Sequence, residues 1–592
     1  MIFNKELLDY NFDLIKKKNY QLASSILSHL NQNKYKINLE KTKSGVWTYS
    51  EYYENNQIHV HSKYDPEKEA ERLVPQYNIT DNDFAVFIKP GLGYHIKKIL
   101  DSVNPYFLII EPDFNILISM LQTIKLPQSL DKWNIAATES EQEIKSYFSS
   151  MFNPVFVSKI NYIILQSIIS IFREKINFIK NYLSEAVDNI IAQAVTLSYF
   201  GDIYHSNVIN NFNQFAASPG IINIKNKFSK APAIIVSAGP SLDYNIGELY
   251  KHRKKFIIIA VDTVYKKLID YDIIPHFTIT IDPQNKSYFH FKDINLHNYF
   301  ITCLICSNKV VKHLENKSLF FVSDYPLSMY FESVTTHKGQ LSTAGGSVST
   351  IAFQFAEYIG ADPIFFIGQD LSYPVMKTHC NTTMYEECGT LVLSKFNTME
   401  NMFAGAAENK IFIKGIKTVS VPTTRQLLEY YRWYCSQVKI SKRKIINCTY
   451  DGAFIEGIEH CDLKEAIEKY KITNTNLDLS LIQEIINSYS KKKYPDVFPE
   501  IISRLSILKK SIQAHRFHIK NLDDLRNLLS QNSGLFELIK TISYSKSLVS
   551  VRKRSEASEI EKVNIIINIL LESIDYTINL ANYQISAENQ FQ

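Results

Sequence analysis

The stretch Ala233-Ile234-Ile235-Val236-Ser237-Ala238-Gly239-Pro240-Ser241-Leu242 decides the fold. Four apolar residues, three of them β-branched, read as a short buried strand. Small residues follow, and a helical pattern opens at Leu242. A strand that passes through a glycine loop into a helix is the unit of a parallel α/β sheet. It aims backbone N–H groups and a helix N-terminus at whatever lies beyond the strand end, an arrangement suited to phosphate. One such junction is common and often binds nothing, so its neighbours matter.

The segments that follow repeat the pattern. Strand 256–261 ends at Asp262-Thr263, and strand 277–281 ends at Asp282-Pro283-Gln284. After strands near 300–306 and 318–322, the segment Ser342-Thr343-Ala344-Gly345-Gly346-Ser347 opens a helix that runs to about Tyr358. A buried strand, 363–367, ends at Gly368-Gln369-Asp370-Leu371-Ser372-Tyr373. Alternating strands and helices imply a mainly parallel sheet. The C-terminal strand ends of such a sheet share one edge, so these loops are expected to converge on one site. Backbone N–H groups at Gly239 to Leu242 and at Gly345 to Ser347 suit a phosphate, with the hydroxyls of Ser241, Thr343 and Ser347 as further donors. Asp262 and Asp282 suit ribose or sugar hydroxyls. Taken singly each loop is a plain turn, since Pro240 and Pro283 stop elements and Asp caps helices. Asp243, in the first helical turn, would repel a close phosphate unless it faces solvent.

Length and composition bound the rest. A chain of 592 residues exceeds one ordinary core. Hydrophobic residues at 45%, charged at 21% and aromatic at 12% describe a folded soluble protein rather than a disordered one. A net charge of +5 is slight for this length and does not suggest a nucleic-acid binder. The first twenty residues lack the order of a signal peptide, and no membrane span is expected. The richest apolar run, Val563 to Leu571, is flanked by Glu561, Lys562 and Glu572. Seven scattered cysteines suit a reducing compartment, so a cytoplasmic location is expected. Cys303 and Cys306 form a lone CxxC in a run that reads as a strand, where the two thiols would point to opposite faces of a core.

Thirteen of the 18 glycines fall between Gly220 and Gly457, which marks the loop-rich part of the chain. We divide the chain into an N-terminal α/β region with linking helices (1–205), a central Rossmann-like domain (206–458) and a helical C-terminal domain (459–592). The N-terminal region has its own strand Ala85 to Ile88, turn Gly91-Leu92-Gly93, helix Tyr94 to Leu100 and strand Phe107 to Ile110. Glu111 follows 20 residues after Gly91, where an acidic group meets a ribose in dinucleotide folds. Two glycines match that fingerprint weakly, and a structural βαβ unit is the favoured reading. Walker-A, HExxH and GxSxG motifs are absent from the central domain, which weighs against an NTPase, a zinc protease and an α/β-hydrolase. No tight Asp-x-Asp pair argues for a metal.

The segments IIVSAGPSL, AVDT, TIDPQ, STAGGSVSTIAFQFAEYIGADPIFFIGQDLSYP and INCTYDGAFIEGI resemble the motility-associated-factor (Maf) glycosyltransferases of flagellated bacteria. Upstream, HVHSKYDPEKEAERLV, KPGLGYH and IIEPD are similar to the same family, so the resemblance covers roughly residues 55 to 460. It implies cytoplasmic transfer of a nonulosonic acid, pseudaminic or legionaminic in type, from its CMP-activated form to Ser or Thr hydroxyls of flagellin, with no further cofactor. The central module is similar to bacterial sialyltransferases, which assigns Gly239, Pro240 and Ser241 to the CMP phosphate or ribose. Asp262, Asp282, Gln284, Thr343, Ser347, Gln369 and Asp370 then line the pocket, with Ser237, Leu242, Thr263, Gly345, Gly346, Gly368 and Tyr373 as adjoining nucleotide-binding candidates. The general base is left open among Asp370, Asp282 and His379, with Asp370 the first choice. His276 precedes a strand, on the wrong edge, and reads as structural. The module also resembles archaeal pterin pyrophosphokinases, so an ATP-dependent kinase of that kind and a non-catalytic flagellin-binding protein are the alternatives. The C-terminal helices, with their basic patch Arg552-Lys553-Arg554, carry no catalytic signal. If they recognise flagellin, deleting 465–592 abolishes that binding and spares the CMP-sugar.

Overall fold

The computed structural model describes residues 2–32, 34–35, 37–53, 56–154, 157, 159–343, 345–374, 377–383, 411–474, 479–489, 496–536, 538–553 and 558–591. Ala344 and Arg554, singled out above, lie outside them. The chain divides into two compact units, Met1–Leu197 with Tyr544–Ile565, and Ser198–Ser543 with Ile566–Gln592. The first cut falls between Leu197 and Ser198. The C-terminal helices, expected as a third domain, are shared between the two units instead.

The first unit holds a four-stranded sheet of β1 (Phe84–Ile88), β2 (Tyr106–Ile110), β3 (Trp133–Ala136) and β4 (Ile160–Ile163). It is parallel throughout, in the order β3-β2-β1-β4. The expected βαβ unit is present, with its helix at Tyr94–Leu100. Its glycine loop is closed from within. Leu92 N–H donates to His61 Nε2 at 2.8 Å, and a Cβ on Gly91 would stand 2.4 Å from that nitrogen. Glu111 is fully buried, lies 3.5 Å from Lys89 Nζ and accepts the Asp113 N–H at 3.1 Å. Burial pushes its carboxyl up to about 7. Glu111 is therefore engaged inside the protein, as the structural reading of this unit requires.

The second unit is built on eight parallel strands: β5 (Ala233–Val236), β6 (Ile257–Val261), β7 (Phe277–Ile279), β8 (Tyr299–Thr302), β9 (Ser318–Phe320), β10 (Ile364–Ile367), β11 (Ile445–Asn447) and β12 (Glu459–His460). Their spatial order is β9-β8-β7-β6-β5-β10-β11-β12. Side chains alternate between two cores because a strand has a period of two. Ile235, Ile257 and Ile259 join one layer with Phe355 and Tyr434 of the helices Val348–Tyr358 and Arg425–Ile440. Ile234, Val236 and Ile258 join the other with Leu249 and Ile467, of the helices Leu242–His252 and Leu463–Lys469. Both faces are covered, so the apolar runs read from the sequence are buried strands.

Three expectations change. The sheet continues past 458, through β12. Ile482 and Ile486 belong to the same core layer as the strands, so deleting 465–592 removes part of that core and does not merely spare the CMP-sugar site. The run at 300–306 is a strand only to Thr302; Cys303 and Cys306 then share a turn closed by a bond from Cys306 N–H to Cys303 O at 3.1 Å. Both thiols are buried, as a core role requires, but they do not diverge across a strand. Finally, one helix, Ile560–Ser586, is long and apolar enough to cross a membrane by length and composition, where none was expected. Its Asp575 pairs with Lys509 at 2.5 Å, and Ile567, Leu570 and Ile574 are buried in the protein.

Candidate functional site

The chain runs outward from β5 through β6, β7, β8 and β9, then returns to β10 on the other side of β5. At such a switch point the flanking loops leave the C-terminal edge in opposite directions and open a crevice in which α/β proteins bind ligands. The loops that leave β5, β6, β7 and β10 all lie on this edge, as the sequence implied.

The loops after β5 and β10 interlock. Gly239 N–H donates to Gly368 O at 2.9 Å, and the Ser237 hydroxyl donates to Gln369 Oε1 at 2.7 Å. The buried Asp370 carboxylate accepts the Ser241 N–H at 2.9 Å and also the Ser241 hydroxyl. Gly239 has to be glycine, since a Cβ there would stand 2.2 Å from Asp370 Oδ1. Past Ser241, the N–H groups of Leu242, Asp243 and Tyr244 bond to the oxygens of Gly239, Pro240 and Ser241 at 3.0, 3.2 and 3.1 Å. The expected phosphate cradle at Gly239 to Leu242 is thus occupied by the protein's own acceptors. Asp243 does not simply face solvent. Lys267 Nζ lies 2.6 Å from it, and the Asn381 N–H donates to it at 3.2 Å.

Donors are available further along the rim. The helix Val348–Tyr358 is eleven residues long, and Ser347 caps it by accepting the Ser349 N–H at 3.3 Å. Among the described residues nothing accepts the N–H groups of Ser347 and Val348. Gly346 is exposed at φ +70°, with its N–H on Thr343 O at 3.0 Å; Thr343 and Ser347 are half-buried. Asp324 holds this loop from behind, accepting the Ser342 hydroxyl at 2.8 Å and the Thr343 N–H at 2.9 Å. Gly345 is buried, and a Cβ on it would stand 2.4 Å from Thr350 Oγ1.

The carboxylates divide by burial. Asp262 is buried, accepting the Thr263 N–H at 2.8 Å, the Thr263 hydroxyl at 3.2 Å and the Thr280 hydroxyl at 3.0 Å. Asp282 is half-buried, and one of its oxygens accepts the Gln284 N–H at 2.8 Å. Burial raises its pKa; the Gln284 N–H opposes the shift, Asp262 adds to it, and Lys286 and His290 oppose it. Asp370, with burial pushing it up to about 7, lies beneath the loop. His379 is half-buried and lowered to about 4 by burial and by His290. Gln369 is internal too: its N–H donates to Thr449 Oγ1 at 3.0 Å. Tyr373 N–H donates to Pro422 O at 2.9 Å. His276 accepts the Ile258 N–H at 2.9 Å, which fits its structural reading.

Three residues near the edge carried no motif. His290 ends the 3₁₀ helix Asn285–His290 and is close enough to act electrostatically on both Asp282 and His379. Tyr204 is raised by burial and by Asp282, and Tyr430 stands 3.0 Å from where a Gly346 Cβ would be. Single aromatics and histidines inside helices leave no periodic trace in a sequence. Among the described residues no group of three or more His, Cys, Asp or Glu is placed to hold a metal.

Residues 206–375 match the family model described as 6-hydroxymethylpterin diphosphokinase MptE-like. A solved MAf glycosyltransferase from Magnetospirillum magneticum AMB-1 superposes with a TM-score of 0.67 over 98% of this chain and 97% of that one, at 15% identity. The chain has the Maf glycosyltransferase fold. Two uncharacterized proteins of Treponema pallidum (strain Nichols) also match, one 33% identical over 106 residues and the other 45% identical over 47. This chain spans 49% of the length of the first and 12% of the second. The family model falls on the second unit and ends just past β10, so it covers the switch point itself.

Proposed function

We propose that this protein transfers a nonulosonic acid, pseudaminic or legionaminic in type, from a CMP-activated donor to Ser or Thr hydroxyls of flagellin in the cytoplasm, before export. The observation that carries the proposal is the switch-point edge, where a helix N-terminus at Ser347–Val348, whose N–H groups no described residue accepts, and a half-buried carboxylate, Asp282, lie on the rim of a fold shared with a Maf glycosyltransferase. The nucleoside lies over the interlocked β5 and β10 loops, and its phosphate takes the N–H groups near Ser347 with the Thr343 and Ser347 hydroxyls. The bond from the anomeric carbon to the phosphate oxygen breaks, and its electron pair leaves with CMP. The acceptor oxygen bonds to that carbon through an oxocarbenium-like transition state, and Asp282 takes the acceptor proton. Donors aimed at the departing phosphate lower the barrier without a metal or further cofactor. Asp370 acts through Ser241, as a positioning residue.

The family-model match favours a second reading, an ATP-dependent pterin pyrophosphokinase. Thermal shift with CMP, with ATP and Mg²⁺, and with pterins separates the two. CMP alone is expected to stabilise the chain; a response to ATP with Mg²⁺ and pterin supports the second reading, and no response leaves a flagellin-binding protein without catalysis. The decisive measurement is the intact mass of flagellin co-expressed with this protein and a donor pathway. A mass increase of one nonulosonate per modified site is expected, and unmodified flagellin overturns the proposal.

A further inference from the structure

A cavity of about 510 Å³ opens beside the Asp282 loop. Its walls come from three distant parts of the second unit. Asp202, Ser206 and Asn207 belong to the end of the helix Gln166–Asn210, Gln284 and Lys286 to the loop and 3₁₀ turn after β7, and Tyr576 to the helix Glu559–Phe591.

These walls are tied together by hydrogen bonds. Asn207, itself buried, donates to Pro283 O at 2.9 Å and to Ile305 O at 3.1 Å, which fixes the loop wall against the helix. His205, 1% exposed, bridges Tyr325 Oη at 3.2 Å and Thr577 Oγ1 at 2.8 Å. Tyr576 Oη donates to Asp202 O at 3.3 Å, and Gln584 Nε2 donates to Asn210 Oδ1 at 2.6 Å. The cavity is therefore built by the fold and is present before any ligand arrives. Its volume lies within the roughly 300–1,000 Å³ usual for ligand sites.

We infer that this cavity receives the acceptor: a polypeptide segment presenting its Ser or Thr hydroxyl to Asp282. The inference rests on the transfer reading above. Position supports it first. Along the edge Asp282 follows β7, and the cavity adjoins the loop that carries it, through Pro283, Gln284 and Lys286. Transfer needs the attacking hydroxyl beside the base, and that places the hydroxyl's carrier here. Chemistry supports it second. Amide and hydroxyl side chains such as Gln284, Asn285 and Ser206 both donate and accept, matching the alternating C=O and N–H groups of a peptide. Asp202 and Lys286 add one charge of each sign at the mouth. The C-terminal helix thereby becomes a wall of the acceptor site.

The test uses the full-length protein, flagellin as acceptor, and whichever CMP-nonulosonate the unaltered protein transfers. Ile203 lines the cavity and is 40% exposed, so Ile203→Arg fills the space from a position that tolerates charge. Lys286→Glu, on the exposed side of the loop, is the second variant in case the first fails to fold. Each is expected to raise the KM for flagellin about tenfold while the donor KM changes by less than about twofold. A rise in donor KM instead means that the cavity holds the sugar, and overturns the inference. Two unchanged KM values overturn it equally. If the unaltered protein transfers no CMP-nonulosonate at all, the transfer reading itself fails, an outcome visible before any variant is made.

Discussion

At the end of β7, Asp282 keeps one oxygen on the Gln284 N–H and remains half-buried, whereas Asp370 is 2% exposed with both oxygens bonded to Ser241. A base must reach its substrate's proton, so geometry ranks these two before any pKa does. The pH profile of transfer separates them. A base works only when ionised, and burial raises the Asp282 pKa, so activity is expected to fall as pH drops through a value above the ordinary 3.8. Asp282→Asn should abolish transfer together with that acidic limb, measured as kcat/KM against pH. Asp370→Asn should keep the limb and weaken the loop, because an amide cannot accept both Ser241 bonds; losing one costs about 1–3 kcal/mol. If Asp370→Asn removes the limb and Asp282→Asn does not, the roles are reversed.

Glycine provides the test one scale up, on the loop and helix that follow β5. Gly239→Ala would bring a Cβ to 2.2 Å from Asp370 Oδ1 and 2.6 Å from Gly368 O, so the two interlocked loops must separate. Such overpacking typically costs about 1–3 kcal/mol, and a lower melting temperature with weaker CMP binding is expected. Gly247, eight residues on, is the control: it is exposed in the middle of the helix Leu242–His252, with nothing within 4 Å of an added Cβ. Gly247→Ala should raise stability by roughly 0.5–1 kcal/mol, because alanine restricts the unfolded chain and favours the helix. Opposite signs from two glycines in one strand–loop–helix unit would be the signature of the close approach; a neutral Gly239→Ala would remove it. The strands of this unit were legible because each is a bounded apolar run, and β5, β6 and β10 appear within a residue of where they were expected. Strands β11 and β12 are not legible in the sequence, since three and two residues leave no pattern to count. The capture of Ser241 by Asp370 spans 129 residues of sequence, so the loop showed donors whose partners only the folded sheet supplies.

Over the whole molecule, the helical C-terminal region turned out not to be an appendage. Its apolar periodicity was visible, but the same stripe serves an independent helical domain and a helix docked on a neighbouring core, and only the docking tells them apart. Within Ile566–Gln592, which belongs to the second unit, Ile567, Leu570 and Ile574 are each 1% exposed or less. Burying side chains of that kind contributes roughly 1.5–3 kcal/mol apiece, so together roughly 5–9 kcal/mol. A domain's entire net stability is about 5–15 kcal/mol. The Thr577 and Asp575 partners, His205 and Lys509, would also lose their bonds. Removal of residues 566–592 is therefore expected to abolish CMP stabilisation and cooperative melting together with flagellin binding. Calorimetry of the shortened chain with and without CMP checks this. A truncated protein that still melts cooperatively and still responds to CMP would show that the helix serves recognition alone, and that the second unit closes its core without it.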